Sequence, residues 1–350
     1  MITDHAVLQP DVQPDREVVV HRDGEISHLT STLEPLTHGY STTGAFIHGP
    51  SGAGKTCTTR CVLEDLERVA GIPVAFLDCL SIHSRRDVLN HVLAELGDGS
   101  TLERRSVGPA DMAVRIREIV DEPTVVVLDE ADQVDELRVL QELYEVPDLV
   151  PILVANQPWR KFDRADIRLD SRIGSFPSIE FDAYDQDELV EILRERASIG
   201  LEPGAVEAGV LEYIAACAER NDCRRAISLL FESVKRARRD GEGSVTRAVV
   251  DASRTDADRQ VIRSRLSSLS RQQRIGLEAI GEVGPATSTP LFEAYESRSG
   301  DPVANRTFRG WLPKFVEYDL VDRAGDESAP EYEVREVVLE ELGGAVVAKS

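Results

Sequence analysis

The sequence predicts an α/β fold, in which a core with a parallel β-sheet precedes an all-α segment and a C-terminal unit of helices and a β-ribbon. Two observations predict the core. In about the first half of the chain, short apolar runs that end in polar residues alternate with helical patterns, as in βαβ units. A glycine-rich loop joins one of these runs to the helix that follows it. Beyond the core the pattern becomes helical, and strand-like runs return only near the C-terminus.

The glycine-rich loop is the most specific motif in the chain. It lies between an apolar strand over 45–47 and a predicted helix over 57–70, and it fits the pattern G-x-x-x-x-G-K-T. Its residues are Gly49, Pro50, Ser51, Gly52, Ala53, Gly54, Lys55 and Thr56. Backbone N–H groups of such a loop converge on phosphate oxygens at a helix N-terminus. The motif predicts binding of ATP or ADP, with Lys55 at the β- and γ-phosphates and Thr56 on Mg²⁺.

Composition limits the class of protein. Nothing in the 350 residues approaches the apolar length of a membrane span, and the five cysteines lack the spacing of metal ligands. The formal net charge is −23, and only five of the 40 basic residues are lysines. This balance predicts a cytoplasmic protein of an extreme halophile, where salt screens the repulsion. An ordinary acidic protein from a GC-rich genome is the alternative. Either way, net charge neither supports nor excludes DNA binding.

Two carboxylates follow a later apolar strand. The run over 73–77 predicts a second strand, and the run over 125–128 predicts another that ends at Asp129 and Glu130. This is the Walker B pattern of nucleotide-hydrolysing proteins. Asp129 is expected to complete the Mg²⁺ site, and Glu130 is expected to orient and polarise the attacking water.

Three more polar residues complete the predicted nucleotide site. Asn156 ends the next apolar strand and is placed to sense the γ-phosphate or to hold the lytic water. Arg172 follows at the distance expected for an arginine finger that acts on a neighbouring chain, with Arg164 and Arg168 as competitors. Arg224 lies in the first turn of a predicted helix, where a cation opposes the helix dipole. A γ-phosphate would explain that placement, so Arg224 is the predicted second sensor.

Together these motifs resemble the AAA+ ATPases, and more narrowly the archaeal replication initiators of the origin-recognition and cell-division-control type. The resemblance runs from about residue 15 to 340 and is carried by 20–25, the phosphate loop, 128–132, 170–176 and 221–230. It implies that Val20 and His21 pack around the adenine and that ATP is a slowly hydrolysed switch. It also implies double-stranded origin DNA, a replicative helicase and related initiator subunits as partners. The chain departs from the family pattern at Asn221 and at 174–176.

The predicted organisation has four parts. They are a flexible N-terminal tail over 1–16, a P-loop AAA+ core over 17–183, an all-α lid over 184–255 and a winged-helix domain over 256–350. Helical stretches over 263–281, 290–298 and 305–317, followed by two strand-like runs, predict the winged helix. Thr289 and Pro290 fit the N-cap and first position of the second of these helices.

The third helix and the wing carry the predicted DNA contacts. These are Arg306, Arg309, Lys314, Arg323 and Arg335. Gly310 and Pro313 are poor helix-interior residues and are expected to kink or shorten the helix. A winged helix used for protein contacts is the alternative.

Three functional hypotheses follow. The first is an ATP-switched replication initiator that binds DNA and has weak ATPase activity. The second is an AAA+ motor or clamp-loader-like ATPase with rapid turnover on DNA. The third is a plasmid- or element-borne paralogue that regulates other initiators.

Overall fold

The core of the computed structural model is a parallel sheet of five strands with helices on both faces. The structure describes residues 2–97, 107–161, 167–218, 221–326 and 329–343. The strands are β1 (Ala45–His48), β2 (Val74–Asp78), β3 (Thr124–Asp129), β4 (Leu149–Ala155) and β5 (Ser178–Glu180). Their order across the sheet is β2-β3-β4-β1-β5. The predicted α/β fold with a parallel sheet is therefore confirmed.

Within the described ranges, six helices cover this sheet. They are α1 (Asp23–Thr37), α2 (Lys55–Ala70), α3 (Arg85–Glu95), α4 (Pro109–Ile119), α5 (Arg138–Tyr144) and α6 (Ile167–Ile173). Side chains of β3 alternate between two apolar clusters: Val125 and Val127 pack with α1 and α2, whereas Val126 and Leu128 pack with α3 to α6. Because β3 is buried on both faces, its sequence is continuously apolar rather than alternating.

Strand register brings the polar ends of the strands together. Asp78 pairs with Asp129 across β2 and β3, and His48 pairs with Ala155 across β1 and β4. Carboxyl ends of parallel strands lie at one edge of a sheet, where ligands bind. The phosphate loop after β1, Glu130 after β3 and Asn156 after β4 consequently share that edge.

The lid is a helical unit of α7 (Gln186–Gly200), α8 (Val210–Cys217), α9 (Cys223–Asp240) and the first half of α10 (Arg247–Ser267). The N-terminal segment, predicted as a flexible tail, packs against it. Leu8 is fully buried in the apolar cluster of the lid, and the backbone carbonyl of Val7 accepts a hydrogen bond from buried Arg196 at 2.6 Å. The side chain of Val7 lies in the same cluster, so two apolar side chains and a hydrogen-bonded carbonyl hold this segment in place.

The C-terminal domain contains α11 (Arg271–Val283), α12 (Ser288–Arg298), α13 (Asn305–Glu317), α14 (Glu336–Gly343) and three short strands. The strands are β6 (Ala286–Thr287), β7 (Val321–Ala324) and β8 (Glu331–Val334), in the order β6-β8-β7. The second half of α10 also belongs to this domain, since Ile262 and Leu266 lie in its apolar cluster. The predicted boundary between 255 and 256 therefore falls inside one continuous helix.

Several predicted helix bounds in this domain are wrong. The single helix expected over 263–281 is two helices, because Ser270 caps α11 by accepting a hydrogen bond from the backbone N–H of Gln273. The N-cap of α12 is Thr287, so Pro290 lies inside the first turn. Helix α13 continues through Gly310 and Pro313, since its buried aromatic face packs along its whole length.

Across the described residues, every helix is too short or too polar to span a lipid bilayer.

Candidate nucleotide site

A cavity of about 590 Å³ opens at the carboxyl edge of the sheet. Residues of the phosphate loop and of the start of α2 line one side, and Arg196, Arg224 and Ile227 of the lid line the other. The N-terminal segment over 10–14, residues 18–20, the polar ends of β2 to β4, the end of α10 and Tyr318 also line it. The cavity therefore lies between the core and the lid, with apolar residues at one end and the phosphate loop at the other.

Close contacts explain the glycines of the phosphate loop. A Cβ atom on Gly49 would be 2.1 Å from the carbonyl oxygen of Phe181, and one on Gly54 would be 2.5 Å from the hydroxyl oxygen of Tyr184. Gly54 also has a φ of +85°, which side chains rarely adopt. Only glycine allows the loop to curl this tightly against its neighbours.

Lys55 folds back over the phosphate loop. Its Nζ donates to the carbonyl oxygens of Gly49 at 2.7 Å and Pro50 at 2.8 Å, and to Oδ1 of Asn156 at 2.8 Å. Burial lowers the pKa of Lys55, while the charges of Glu130 and Asp129 oppose that effect. All three ammonium protons are therefore used by oxygen atoms of the protein, and a bound phosphate would have to replace one of these acceptors.

Thr56 and Asp129 are adjacent at the tip of β3. The Thr56 hydroxyl lies close to the Asp129 carboxylate and acts to lower its pKa. Burial and the charge of Glu130 outweigh this effect and raise the pKa of Asp129 to about 7. A hydroxyl and a carboxylate oxygen form a donor set that suits Mg²⁺. The excess of buried negative charge here favours such a cation.

Glu130 and Asn156, the two residues predicted to act in hydrolysis, contact each other directly. Oε2 of Glu130 accepts hydrogen bonds from Nδ2 of Asn156 at 2.6 Å and from the hydroxyl of Tyr318 at 2.5 Å. Since Asn156 also binds Lys55, a continuous chain of hydrogen bonds links Lys55, Asn156, Glu130 and Tyr318. Glu130, the residue after β3, has a φ of +57°, so the backbone leaves the extended conformation of the strand at this point.

The lid contributes Arg224 to the cavity. Asp222 caps α9, and its Oδ1 accepts from the backbone N–H groups of Arg224 at 2.9 Å and Arg225 at 3.3 Å. Val20 lines the cavity as expected for an adenine contact, whereas Nε2 of His21 lies 2.8 Å from the carboxylate of Glu191 on α7. The structure therefore brings Arg224 and Val20, and not His21, to the cavity wall.

Arg172 lies outside the cavity. Its side chain is 43% exposed, 3.8 Å from the carboxylate of Glu145 and 4.9 Å over the ring of Tyr144. Of its two competitors, Arg164 lies outside the described residues, and only the backbone of Arg168 is described. Any part that Arg172 plays in hydrolysis must therefore be at the site of a neighbouring chain.

Comparison with known proteins decides the family. Residues 18–155 match the AAA ATPase domain, and residues 190–255 match the Cdc6 AAA+ ATPase-type lid domain. The chain is 35% identical over 311 residues to ORC1-type DNA replication protein 1 of Halobacterium salinarum, with 88% of this chain and 100% of the relative covered. It is 32% identical over 333 residues to ORC1-type DNA replication protein 9 of that organism, with 95% and 93% covered. The chain belongs to the ORC1-type DNA replication proteins.

Solved structures agree with this assignment at the level of the fold. The Aeropyrum pernix ORC1 protein, solved in complex with DNA, matches this ORC1-type chain with a TM-score of 0.75 and 24% identity, covering 99% of this chain and 98% of that one. Cdc6p of Pyrobaculum aerophilum matches with a TM-score of 0.61 and 18% identity, covering 99% and 98%. The predicted AAA+ core, lid and C-terminal winged helix are therefore confirmed as a fold.

The predicted DNA contacts of the ORC1-type chain separate into two groups. Arg306 and Arg309 on α13 and Arg323 on β7 are exposed. Lys314 is only 5% exposed and faces the carboxylates of the core rather than solvent. Arg335 is half-buried, and its Nη1 donates to the backbone carbonyl of Asp319 at 3.3 Å. Lys314 thus does not share a DNA-facing surface with the exposed arginines.

Sequence reasoning missed two residues of the site. Arg22 is buried and donates to the carbonyl oxygens of Ala53 at 3.0 Å and Asp182 at 2.8 Å, while its guanidinium stacks 3.9 Å over the ring of Tyr184. It therefore braces the phosphate loop from behind. Tyr318 is the second. It lies 188 residues from Glu130 in the sequence, so no local sequence pattern indicates that the two side chains are in contact.

Proposed function

We propose that the chain is an ATP-switched replication initiator. In this proposal it binds double-stranded origin DNA when ATP is bound, helps to recruit the replicative helicase and hydrolyses ATP slowly. Membership of the ORC1-type DNA replication proteins supports the role in replication. The finer steps rest on the arrangement of the cavity.

One observation supports the proposal that ATP acts as a switch. Residues from all three domains converge on one cavity: Lys55 and Glu130 of the core, Arg224 of the lid and Tyr318 of the C-terminal domain. A nucleotide bound there would contact the lid and the core at once, and would lie beside the C-terminal domain. Its triphosphate state can therefore alter how the domains sit on one another, which a nucleotide held by the core alone could not do.

The residues have separate roles in this proposal. Thr56 and Asp129 hold Mg²⁺, which neutralises charge on the β- and γ-phosphates when bound. Lys55 and Arg224 bind phosphate oxygens, Asn156 senses the γ-phosphate, and Glu130 accepts a proton from the attacking water. Arg172, exposed on α6, acts at the site of a neighbouring chain. Arg306, Arg309 and Arg323 contact DNA, a role that the Aeropyrum pernix ORC1 complex with DNA makes plausible for the shared fold.

Binding measurements in molar KCl test the proposal. Duplex fragments from the chromosomal region around the gene and random duplexes of equal length are titrated with ATP, with ADP and without nucleotide. We expect tighter binding of one native fragment with ATP, and loss of ATP affinity and of this difference in Lys55→Ala. Retention of ATP affinity by that variant would remove the basis of the assignment. Rapid steady-state hydrolysis by closed hexamers would favour a motor instead.

A further inference from the structure

The end of α13 and the residue after it lie over the carboxylates of the nucleotide site. Tyr318 is 4% exposed, and its hydroxyl donates to Oε2 of Glu130 and accepts from Nδ2 of Asn156 at 3.2 Å. Both partners belong to the hydrolytic machinery proposed above. A residue of the C-terminal domain therefore occupies hydrogen-bonding positions inside the ATPase site.

The backbone that carries Tyr318 is held by the lid and by α10. The carbonyl oxygen of Tyr318 accepts from Nη1 of buried Arg265 at 2.6 Å. The next residue, Asp319, accepts from Arg225 at 2.8 Å and from Arg265 at 3.1 Å through its Oδ2. Arg265 lies a further 3.4 Å from Asp222, which caps the helix of Arg224. The position of Tyr318 thus depends on how the lid and the C-terminal domain are docked.

Lys314 adds a charged contact one turn before Tyr318. Its ammonium group is buried and has no hydrogen-bond partner within the described parts of the chain. The nearby charges that act on it are, in order of effect, Glu130, Asp132, Asp78 and Asp135. Burial lowers the pKa of Lys314 to about 8, so the charges of these carboxylates offset only part of the desolvation cost of its ammonium group. Leu80 supplies an apolar contact, because it follows β2 and packs into the C-terminal cluster.

We propose that Tyr318 is a positioning residue of the ATPase site, whose hydroxyl restrains Glu130 while the C-terminal domain is docked. The inference rests on the proposed function, since it gives that site a control element in the same chain. While Oε2 of Glu130 accepts hydrogen bonds from Tyr318 and Asn156, that oxygen is not free to accept a proton from an attacking water. A phosphate oxygen that binds Lys55 competes with Oδ1 of Asn156 for the same ammonium group. Binding of the phosphate therefore weakens the Lys55–Asn156 hydrogen bond, and with it the restraint that Asn156 places on Glu130. Docking of the domain and turnover of ATP are thereby coupled.

The test uses the full chain and the variant Tyr318→Phe, with Tyr332→Phe as the matched control. Tyr332 is a buried tyrosine on β8 of the same domain. We expect Tyr318→Phe to hydrolyse bound ATP about tenfold faster in single-turnover assays, the effect of losing one hydrogen bond to a charged group. Its ATP affinity should stay close to that of the parent chain. Tyr332→Phe should match the parent chain in both measurements.

Amide hydrogen exchange provides a readout that does not depend on activity. Tyr318→Phe should speed exchange in the last turns of α13, and the same change should have a smaller effect in a Glu130→Ala background, because the acceptor is already gone and only the hydrogen bond from Asn156 is left to lose. Equal exchange in Tyr318→Phe and the parent chain, or an unchanged or slower single-turnover rate with ATP affinity intact, would overturn the role of Tyr318. Failure of the parent chain to bind ATP would instead refute the proposed function, and the exchange comparison would still decide whether Tyr318 holds the domain.

Discussion

Asp222 of the lid lies against Gly52 of the phosphate loop. A Cβ atom on Gly52 would be 2.3 Å from Oδ1 of Asp222, and Gly52 has a φ of +78°. The same Oδ1 accepts the backbone N–H of Arg224. The lid therefore contacts the phosphate loop through Asp222, the N-cap of the helix that carries Arg224. A displacement of the loop at Gly52 would move Asp222 and, through it, Arg224.

Gly52→Ala should lower ATP affinity by about tenfold or more, because a left-handed backbone with a side chain costs about 1–2 kcal/mol and the new methyl group must displace Asp222. Isothermal titration with ATP measures the effect. Gly310→Ala is the control: Gly310 lies inside α13, and nothing lies within 4 Å of the position of its Cβ. That change should leave ATP affinity alone and raise stability by up to about 1 kcal/mol. Normal ATP affinity of Gly52→Ala would contradict the contact.

Glu130→Gln should retain ATP binding and lose turnover by about 10²-fold or more, because an amide cannot take the proton of the attacking water. Its amide oxygen can still accept from Tyr318 and Asn156, so the C-terminal domain should stay docked. Single-turnover hydrolysis and direct ATP titration give the two values. Glu122→Gln changes an exposed carboxylate just before β3 and should behave like the parent chain. Unchanged hydrolysis in Glu130→Gln would refute the catalytic role, and lost binding would indicate a structural one.

Much of the site was predictable because its signals are local. The phosphate loop, Asp129 and Asn156 each follow an apolar strand directly, and parallel strands place their carboxyl ends at one edge. The strands β1 to β4 were found within a residue or two of their bounds, whereas β5 was not predicted. Both β3 and β4 are buried on both faces of the sheet and therefore read as uninterrupted apolar runs.

The remaining features depend on how distant segments dock. The Tyr318–Glu130 contact joins residues 188 positions apart, and no periodicity encodes such a contact. For Lys314 a signal did exist, since it lies three residues after Trp311 and next to Phe315, on the buried side of α13. Gly310 and Pro313 were expected to kink or shorten this helix, but the buried aromatic face outweighs the loss of one backbone hydrogen bond.

Arg224 and Arg225 are neighbours in sequence with different expected roles. Arg224 lines the cavity, whereas Arg225 is bound to Asp319 and lies 3.7 Å from Asp258. Arg224→Ala should reduce the preference for ATP over ADP about tenfold, because a charged contact to the γ-phosphate is lost. Arg225→Ala should leave that preference unchanged and lower the melting temperature, since it removes a partner of a half-buried carboxylate. Nucleotide competition assays and thermal melts distinguish the two variants, and the reverse pattern would exchange their roles.

Arg306 and Arg309 share the exposed side of α13 and provide the sharpest test of DNA contact. The double change to alanine should weaken duplex binding at every sequence tested and reduce the slope of log K against log salt by about one per lost phosphate contact. A double change at Arg68 and Arg138, which are 72% and 67% exposed on the core, removes the same charge elsewhere. Titrations over a range of KCl concentrations separate the pairs, because a general charge effect would alter both slopes equally. Equal slopes would place the DNA surface away from α13, whereas a reduced slope in the Arg306 and Arg309 variant alone assigns phosphate contacts to this helix.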